Sequence, residues 1–469
     1  MLVAHWGGDS TVRVIITRLE IGRLMQRIIL GLLSLYVCVP AIAAPESRPN
    51  IIYMVGDGMG VAYTSAYRLY QDDLATPELE TTIYDEMLTG MASTYSDDHT
   101  LVTDSAAAAT ALAAGVKTFN GAIGVNSQHT PVPSMLDKAK ELGYLTGIAV
   151  TCQVNHATPA AFVAHADSRQ SYEKIADQYV DLRINGKPKV DLILGGGRDY
   201  FIRKDRNLIK EFGALGYNYQ SDLTKLANIK KLPAIGLFAP MGMEPALGSA
   251  QPLRLAEMTE KALSLLHPAA QTHVTPKPFF LMLEASQVDW CGHANDIACA
   301  MGEMRDMAAT MKLIKAFIDK NPNTIFVATA DHSTGGLSVG AKEQYLWNAA
   351  VVRNVKAPAP KIARTLLASK SNWKAEWQAL TQIKLAEDEQ KTLDALITQA
   401  DESNAEVVVK QVTAQVLVYI DKYSATGWTT KGHTGENVQI FSYGKERTNF
   451  NGAMDNTDIA KKLMAYLKP

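Results

Sequence analysis

The chain has 469 residues, of which 47% are hydrophobic and 20% charged, with a formal net charge of −2 at pH 7. That balance is globular and leaves ample material for a large core. A charge so close to neutral points neither to a nucleic-acid surface nor to steering by a strongly basic face.

From Met25 the sequence reads MQRIILGLLSLYVCVPAIAA, with Arg27, an apolar run from Ile28 to Val39 and the small-residue site Ala41-Ile42-Ala43. This pattern predicts a secretory signal over residues 25–44, an upstream extension over residues 1–24, and an exported protein, periplasmic or secreted. The run is too short to span a bilayer, so no stable membrane span is expected. Four cysteines occur, and Cys38 falls within the signal. Cys152, Cys291 and Cys299 form an odd set, which leaves at least one thiol without a partner in the chain. Disulfides are not expected to frame the fold.

The first strand is predicted in NIIYMVGDGMG, from Ile51 to Val55, breaking at Gly56-Asp57-Gly58. VTDSAAAATALAAG then places Ser105 between the capping pair Thr103/Asp104 and four alanines, which predicts a helix starting at the serine. Its free N–H groups and positive dipole end would welcome an anion. YLTGIAVTCQVNHATPA is a strand leading to His156, and HADSR follows with Arg169. VDLILGGGRDYF is another strand, ending in three glycines. PFFLMLEASQVDWCGHAND predicts a strand over Phe279–Leu283 closing on Glu284, Asp289 and His293, and Met301 to Asp319 has a helical pattern. NTIFVATADHSTGG ends on Asp331-His332. The segment 342–423 is rich in Lys, Glu, Gln and Ala, helical in pattern and poor in candidate site residues; it is expected to be a surface insertion. GWTTKGHTGENV carries His433 near the C-terminus.

Strands alternating with helices predict an α/β fold with a largely parallel sheet. Ligands in such sheets bind beyond the carboxyl ends of the strands, where the polar clusters recur. Asp57, Glu284, Asp289, His293, Asp331, His332 and His433 mix hard oxygens with imidazoles, a set that suits zinc and related ions. Asp289 and His293 are one helical turn apart and can face one ion. Each motif alone is weak, since an Asp-Gly is usually a turn and a single His usually a satisfied polar residue. Together they imply more than one metal. A serine needs a base or a metal to become a nucleophile, and no G-x-S-x-G elbow is present. Two ions flanking Ser105 would suit an in-line phosphoryl transfer. Arg169 offers a bidentate clamp for the phosphate, although the bland alternative for it is a surface ion pair.

At these residues the chain resembles the alkaline phosphatase family, from about Asn50 to the C-terminus, less strongly within 342–423. GDGMG, VTDSAAAATA, HATPA with HADSR, the spacing Glu284–Asp289–His293, TADHSTGG and KGHTG occur in the family's order. The resemblance implies a large sheet sandwiched between helical layers and a phosphomonoesterase with Ser105 as the phosphorylated nucleophile. It implies two zinc ions, one on Asp289, His293 and His433 and one on Asp57, Asp331 and His332. A magnesium ion would sit on Asp57, Thr158 and Glu284, with Arg169 binding phosphate. It also implies a homodimer acting on small phosphomonoesters. Some members carry Asp in place of His156 and Lys in place of Trp290, so this chain looks like a His/Trp-type member, and the cysteine pattern of some bacterial members is not evident. The competing readings are a phosphodiesterase or sulfatase of related metal-site architecture and a non-enzymatic zinc or phosphate binder. TDSAAAATA argues against the first two, and Ser105 against the third.

Overall fold

Nearly continuous apolar runs become fully covered strands, because helices pack on both faces of a parallel sheet. The computed structural model describes residues 48–272, 277–401 and 403–468. The expected signal at 25–44 and the extension at 1–24 lie outside the described residues. Ten strands form the main sheet: β1 (Asn50–Gly56), β2 (Leu88–Ser93), β3 (Leu145–Gln153), β4 (Leu192–Gly196), β5 (Asn218–Gln220), β6 (Ala234–Leu237), β7 (Phe279–Ala285), β8 (Thr324–Thr329), β9 (Val438–Gly444) and β10 (Gly452–Asp455). Their order is β10-β2-β9-β8-β1-β7-β3-β4-β6-β5. Within this sheet β9 alone runs against its neighbours, pairing antiparallel with β8 and β2. The expected α/β class with a mostly parallel sheet is what the chain adopts. The four central strands β8, β1, β7 and β3 lie side by side in parallel, and their carboxyl ends carry Asp331, Asp57, Glu284 and, three residues past β3, His156.

The main helices used below are α1 (Val61–Gln71), α2 (Ser105–Ala114), α3 (Ala157–Ala161), α4 (Arg254–Gln271), α5 (Gln287–Ala294), α6 (Ile297–Lys320), α7 (Ala405–Ser424) and α8 (Asn456–Tyr466). Helix α2 starts at Ser105 because the Asp104 side chain accepts from the Ala107 N–H at 2.9 Å. It stops at Gly115, whose φ of +71° closes the last turn. Nearly all of α2 is buried, and its alanines allow it to pack between α3 and α8. Asp296 caps α6 by accepting from the Cys299 N–H at 3.0 Å, and its other oxygen accepts from Ala359 N–H at 2.8 Å.

The segment 342–423 is helical, with Ala349–Asn354, Ala359–Ala368, Trp373–Thr381, Glu387–Thr398 and α7 as its α-helices. On either side of it, Leu337–Val339 pairs antiparallel with Thr426–Trp428, so the chain leaves and returns at one place. None of the described helices is long and apolar enough to cross a membrane. The structure joins Cys291 to Cys299, tying α5 to α6, and leaves Cys152 as a buried free thiol. The odd cysteine count could not reveal that bond; it forms because α5 ends at Ala294 and α6 begins at Ile297, bringing the two side chains together.

Candidate active site

The loop after β1 depends on Gly58, which has a φ of +74° and lies so close to Asp289 that a Cβ there would come within 2.6 Å of the Asp289 Cα. Its N–H donates to Asp331 Oδ1 at 3.0 Å, which also accepts from the His332 N–H at 2.9 Å. One carboxylate oxygen is thereby fixed, while Asp331 Oδ2 and both Asp57 oxygens are buried without hydrogen-bond partners. Asp57, Asp331 and His332 form one group of potential metal ligands. His332 Nε2 lies 3.5 Å from Asp57 Oδ1 and 3.2 Å from Asp331 Oδ2.

A second group comprises Asp289, His293 and His433. Helix α5 carries the first two a turn apart. The pairing of Ser333–Thr334 with His433–Thr434 delivers the third from the C-terminal loop. His293 Nδ1 lies 2.5 Å from the Lys431 carbonyl, and His433 Nδ1 lies 2.9 Å from that of Thr103. A carbonyl only accepts, so each Nδ1 carries the proton and each Nε2 presents a lone pair. Those two lone pairs face each other at 3.2 Å, with Asp289 Oδ1 3.4 Å and 3.6 Å away. A cation shared by the two imidazoles and Asp289 would relieve that confrontation. Backbone carbonyls that orient imidazoles in this way are a common feature of metal sites.

Ser105, at the head of α2, is buried with its Oγ 3.2 Å from His332 Nε2. Thr334 controls that ring. Its hydroxyl donates to Asp289 Oδ1 at 2.5 Å and so has only acceptor capacity left for His332 Nδ1, 3.2 Å away. The His332 proton therefore sits on Nδ1, and the Nε2 lone pair is directed towards Ser105, Asp57 and Asp331. Thr334 was not singled out in the sequence, although the glycines that follow it in STGG mark the irregular backbone on which it lies.

Arg169 is not a surface ion pair. Its Nη1 donates to Asp104 Oδ2 at 3.0 Å and its Nη2 to His156 Nε2 at 3.2 Å, with most of the side chain buried. The N-cap residue of α2 thus also anchors the guanidinium beside Ser105. The rings of His156 and Trp290 meet edge to face, 6.0 Å apart, and Trp290 packs so tightly on Gly242 that a Cβ there would lie 2.2 Å from the indole. Thr158 Oγ1, Glu284 Oε1 and His156 Nδ1 are buried without hydrogen-bond partners. Cys152, His156 and Glu284 make a third group of possible ligands.

In the protein alone these charges are poorly accommodated. Burial, followed by repulsion from Asp331, Asp289 and Glu284, holds the Asp57 carboxyl well above the usual carboxylate range. Burial pushes Glu284 up to about 8. Burial and then Arg169 push His156 down to about 3, so its imidazole is neutral. A set of buried acids with orphaned oxygens, beside imidazoles fixed with inward lone pairs, fits divalent cations.

The family model for alkaline phosphatase matches residues 48–468. The chain belongs to the alkaline phosphatase family. It is 40% identical to alkaline phosphatase 3 of Bacillus subtilis over 439 residues, 92% of this chain and 93% of that one. Among solved structures, the cold-active alkaline phosphatase of Shewanella sp. superimposes with a TM-score of 0.83 at 40% identity, covering 90% of this chain and all of that one. A histidine-to-aspartate variant of the TAB5 alkaline phosphatase, with Mg bound in its M3 site, matches at a TM-score of 0.63 and 25% identity over 90% of this chain and 98% of that one. The protein is accordingly a phosphoric monoester hydrolase of a metal-dependent alkaline phosphatase family.

Proposed function

We propose that Ser105 is the nucleophile of a two-step phosphomonoester hydrolysis, flanked by zinc ions on Asp289, His293 and His433 and on Asp57, Asp331 and His332. A third cation belongs beside them, with Asp57, Thr158 and Glu284 as ligands. The observation that carries this reading is the serine hydroxyl 3.2 Å from His332 Nε2, at the junction of two metal-type clusters. Divalent ions held there would supply Lewis-acid stabilisation of the negative charge that develops on oxygen during phosphoryl transfer.

The chain's own groups do the rest. Arg169 donates two N–H groups to the equatorial phosphoryl oxygens, and Asp104 keeps its guanidinium from turning away. The first turn of α2 adds N–H groups and the positive end of its dipole. Ser105 Oγ loses its proton to water and bonds to phosphorus as the ester oxygen leaves. A water molecule then breaks the Ser105–phosphate bond and restores the hydroxyl. Thr334 holds the His332 tautomer throughout.

His156 supplies no negative charge to the third position, where a carboxylate would hold magnesium directly or through its waters. The TAB5 variant, with its histidine replaced by aspartate and Mg in its M3 site, supports reading His156 as the residue that weakens magnesium binding here. Export is supported by the signal-like residues 25–44 and by the Cys291–Cys299 bond, since disulfides persist in oxidising compartments.

The substrate class is tested with p-nitrophenyl phosphate, its bis-ester and its sulfate analogue, each with and without chelator. The monoester should be turned over far faster than the others, chelation should abolish turnover, and added zinc should restore it. Ser105→Ala should lose turnover while still binding inorganic phosphate. A bis-ester or sulfate turned over faster than the monoester contradicts the proposal.

A further inference from the structure

Cys152 is the penultimate residue of β3, buried, beside the strand that carries Glu284. Its Sγ is 3.2 Å from Glu284 Oε2, and ligand atoms of Cys152, His156 and Glu284 all fall within 4.8 Å of one another. Glu284 Oε1 and His156 Nδ1 are both left without a hydrogen-bond partner in this buried space. A thiol is a weak donor, so hydrogen bonding alone leaves a buried carboxylate and imidazole poorly satisfied. Cys291 and Cys299 are tied to each other, and Cys152 is free.

We propose that Cys152 Sγ is a ligand of the third cation, acting with Glu284 and His156, and that it makes this position select zinc over magnesium. The inference deepens the three-cation reading given above and rests on it. Magnesium takes oxygen ligands in a near-octahedral shell, whereas thiolate and imidazole suit zinc and cobalt. On loading, the S–H bond breaks, the proton leaves to solvent, and the sulfur electron pair goes to the metal. His156 binds through Nδ1, the nitrogen with no partner. Its ring proton then resides on Nε2, where it opposes the N–H that Arg169 Nη2 directs there at 3.2 Å. Loading the site therefore releases that arm of Arg169 towards phosphate, linking cation and phosphate binding.

Titration of the metal-stripped protein with cobalt(II), with the disulfide intact, tests the assignment. Wild type should bind three equivalents, one of them bringing a near-ultraviolet sulfur-to-cobalt charge-transfer band. Cys152→Ser should lack that band and bind zinc at this position at least about tenfold more weakly, with magnesium affinity unchanged. The wild-type band needs no variant, so the result does not depend on whether Cys152→Ser folds. Three equivalents without a band would overturn the Cys152 assignment and leave the three-cation reading standing. Binding of only two equivalents would overturn both. A band that persists in Cys152→Ser places the sulfur elsewhere and also overturns the assignment.

Discussion

Arg169 Nη2 donates to His156 Nε2 at 3.2 Å, which sets the proposed phosphate clamp beside the proposed third cation position. Arg169→Ala removes two charge-assisted donors from the phosphate site and leaves the ligands of the two zinc positions, Asp289, His293, His433, Asp57, Asp331 and His332, in place. Phosphate inhibition should weaken by about 1.5–3 kcal/mol, with the content of the two zinc positions unchanged by elemental analysis. Inhibition as strong as in the wild type would mean that the guanidinium serves only to hold Asp104. His156→Asp should act in the opposite sense, on metal rather than on phosphate. A carboxylate in that buried space adds a hard ligand beside Glu284, so the variant should bind magnesium more tightly and its activity should depend more on added magnesium. Magnesium titrations of the metal-stripped wild type and variant should therefore separate; superimposable curves would show that His156 only fills space between Trp290 and Arg169.

Helices α4 and α6 support the sheet beneath the site through a buried charge cluster. Arg254 Nη2 donates to both Glu303 oxygens at 2.8 and 2.9 Å, and its Nη1 lies 3.3 Å from Asp306 Oδ2. The acids also hold backbone groups: Glu303 accepts from Ala246 N–H, and Asp306 from the N–H groups of Leu255 and Ala256 at the start of α4. Arg254→Met keeps the volume but strands two buried carboxyl groups, which should cost about 3–5 kcal/mol of stability. Urea unfolding with Arg254→Met and wild type compared at equal metal loading measures this, and a loss under about 1 kcal/mol would show that the acids are satisfied by the backbone alone. Because α6 is also bonded to α5 through Cys291–Cys299, this cluster steadies the helix that carries Asp289 and His293.

Across the whole molecule, the strand ends were the most legible part of the sequence. GDGMG, the Glu284–Asp289–His293 spacing and TADHSTGG announced where apolar runs stop and polar side chains begin, because buried parallel strands have no alternation to blur their ends. The order of the strands was not legible. That β8, β1, β7 and β3 are neighbours is a long-range pairing with no local mark, and it alone makes four separate motifs one site. Arg169 was ambiguous for a related reason: its ion pair with Asp104 is real, but only the tertiary structure shows that the pair faces Ser105. Thr334 and Cys152 were passed over because a threonine in a glycine-rich turn and a cysteine in an apolar strand each have a commoner structural role. His293 and His433 were each found by a local motif, yet their pairing at one ion came only from the family resemblance, since 139 intervening residues separate them in the chain.

The central claim is that one serine at the head of an alanine-rich helix carries the phosphoryl group. It is tested by mixing wild-type enzyme with labelled inorganic phosphate, quenching in acid, and mapping the labelled peptide by mass spectrometry. The label should be found on the peptide containing Ser105 and be absent from Ser105→Ala. Label on any other residue, or equal label in Ser105→Ala, would contradict the account.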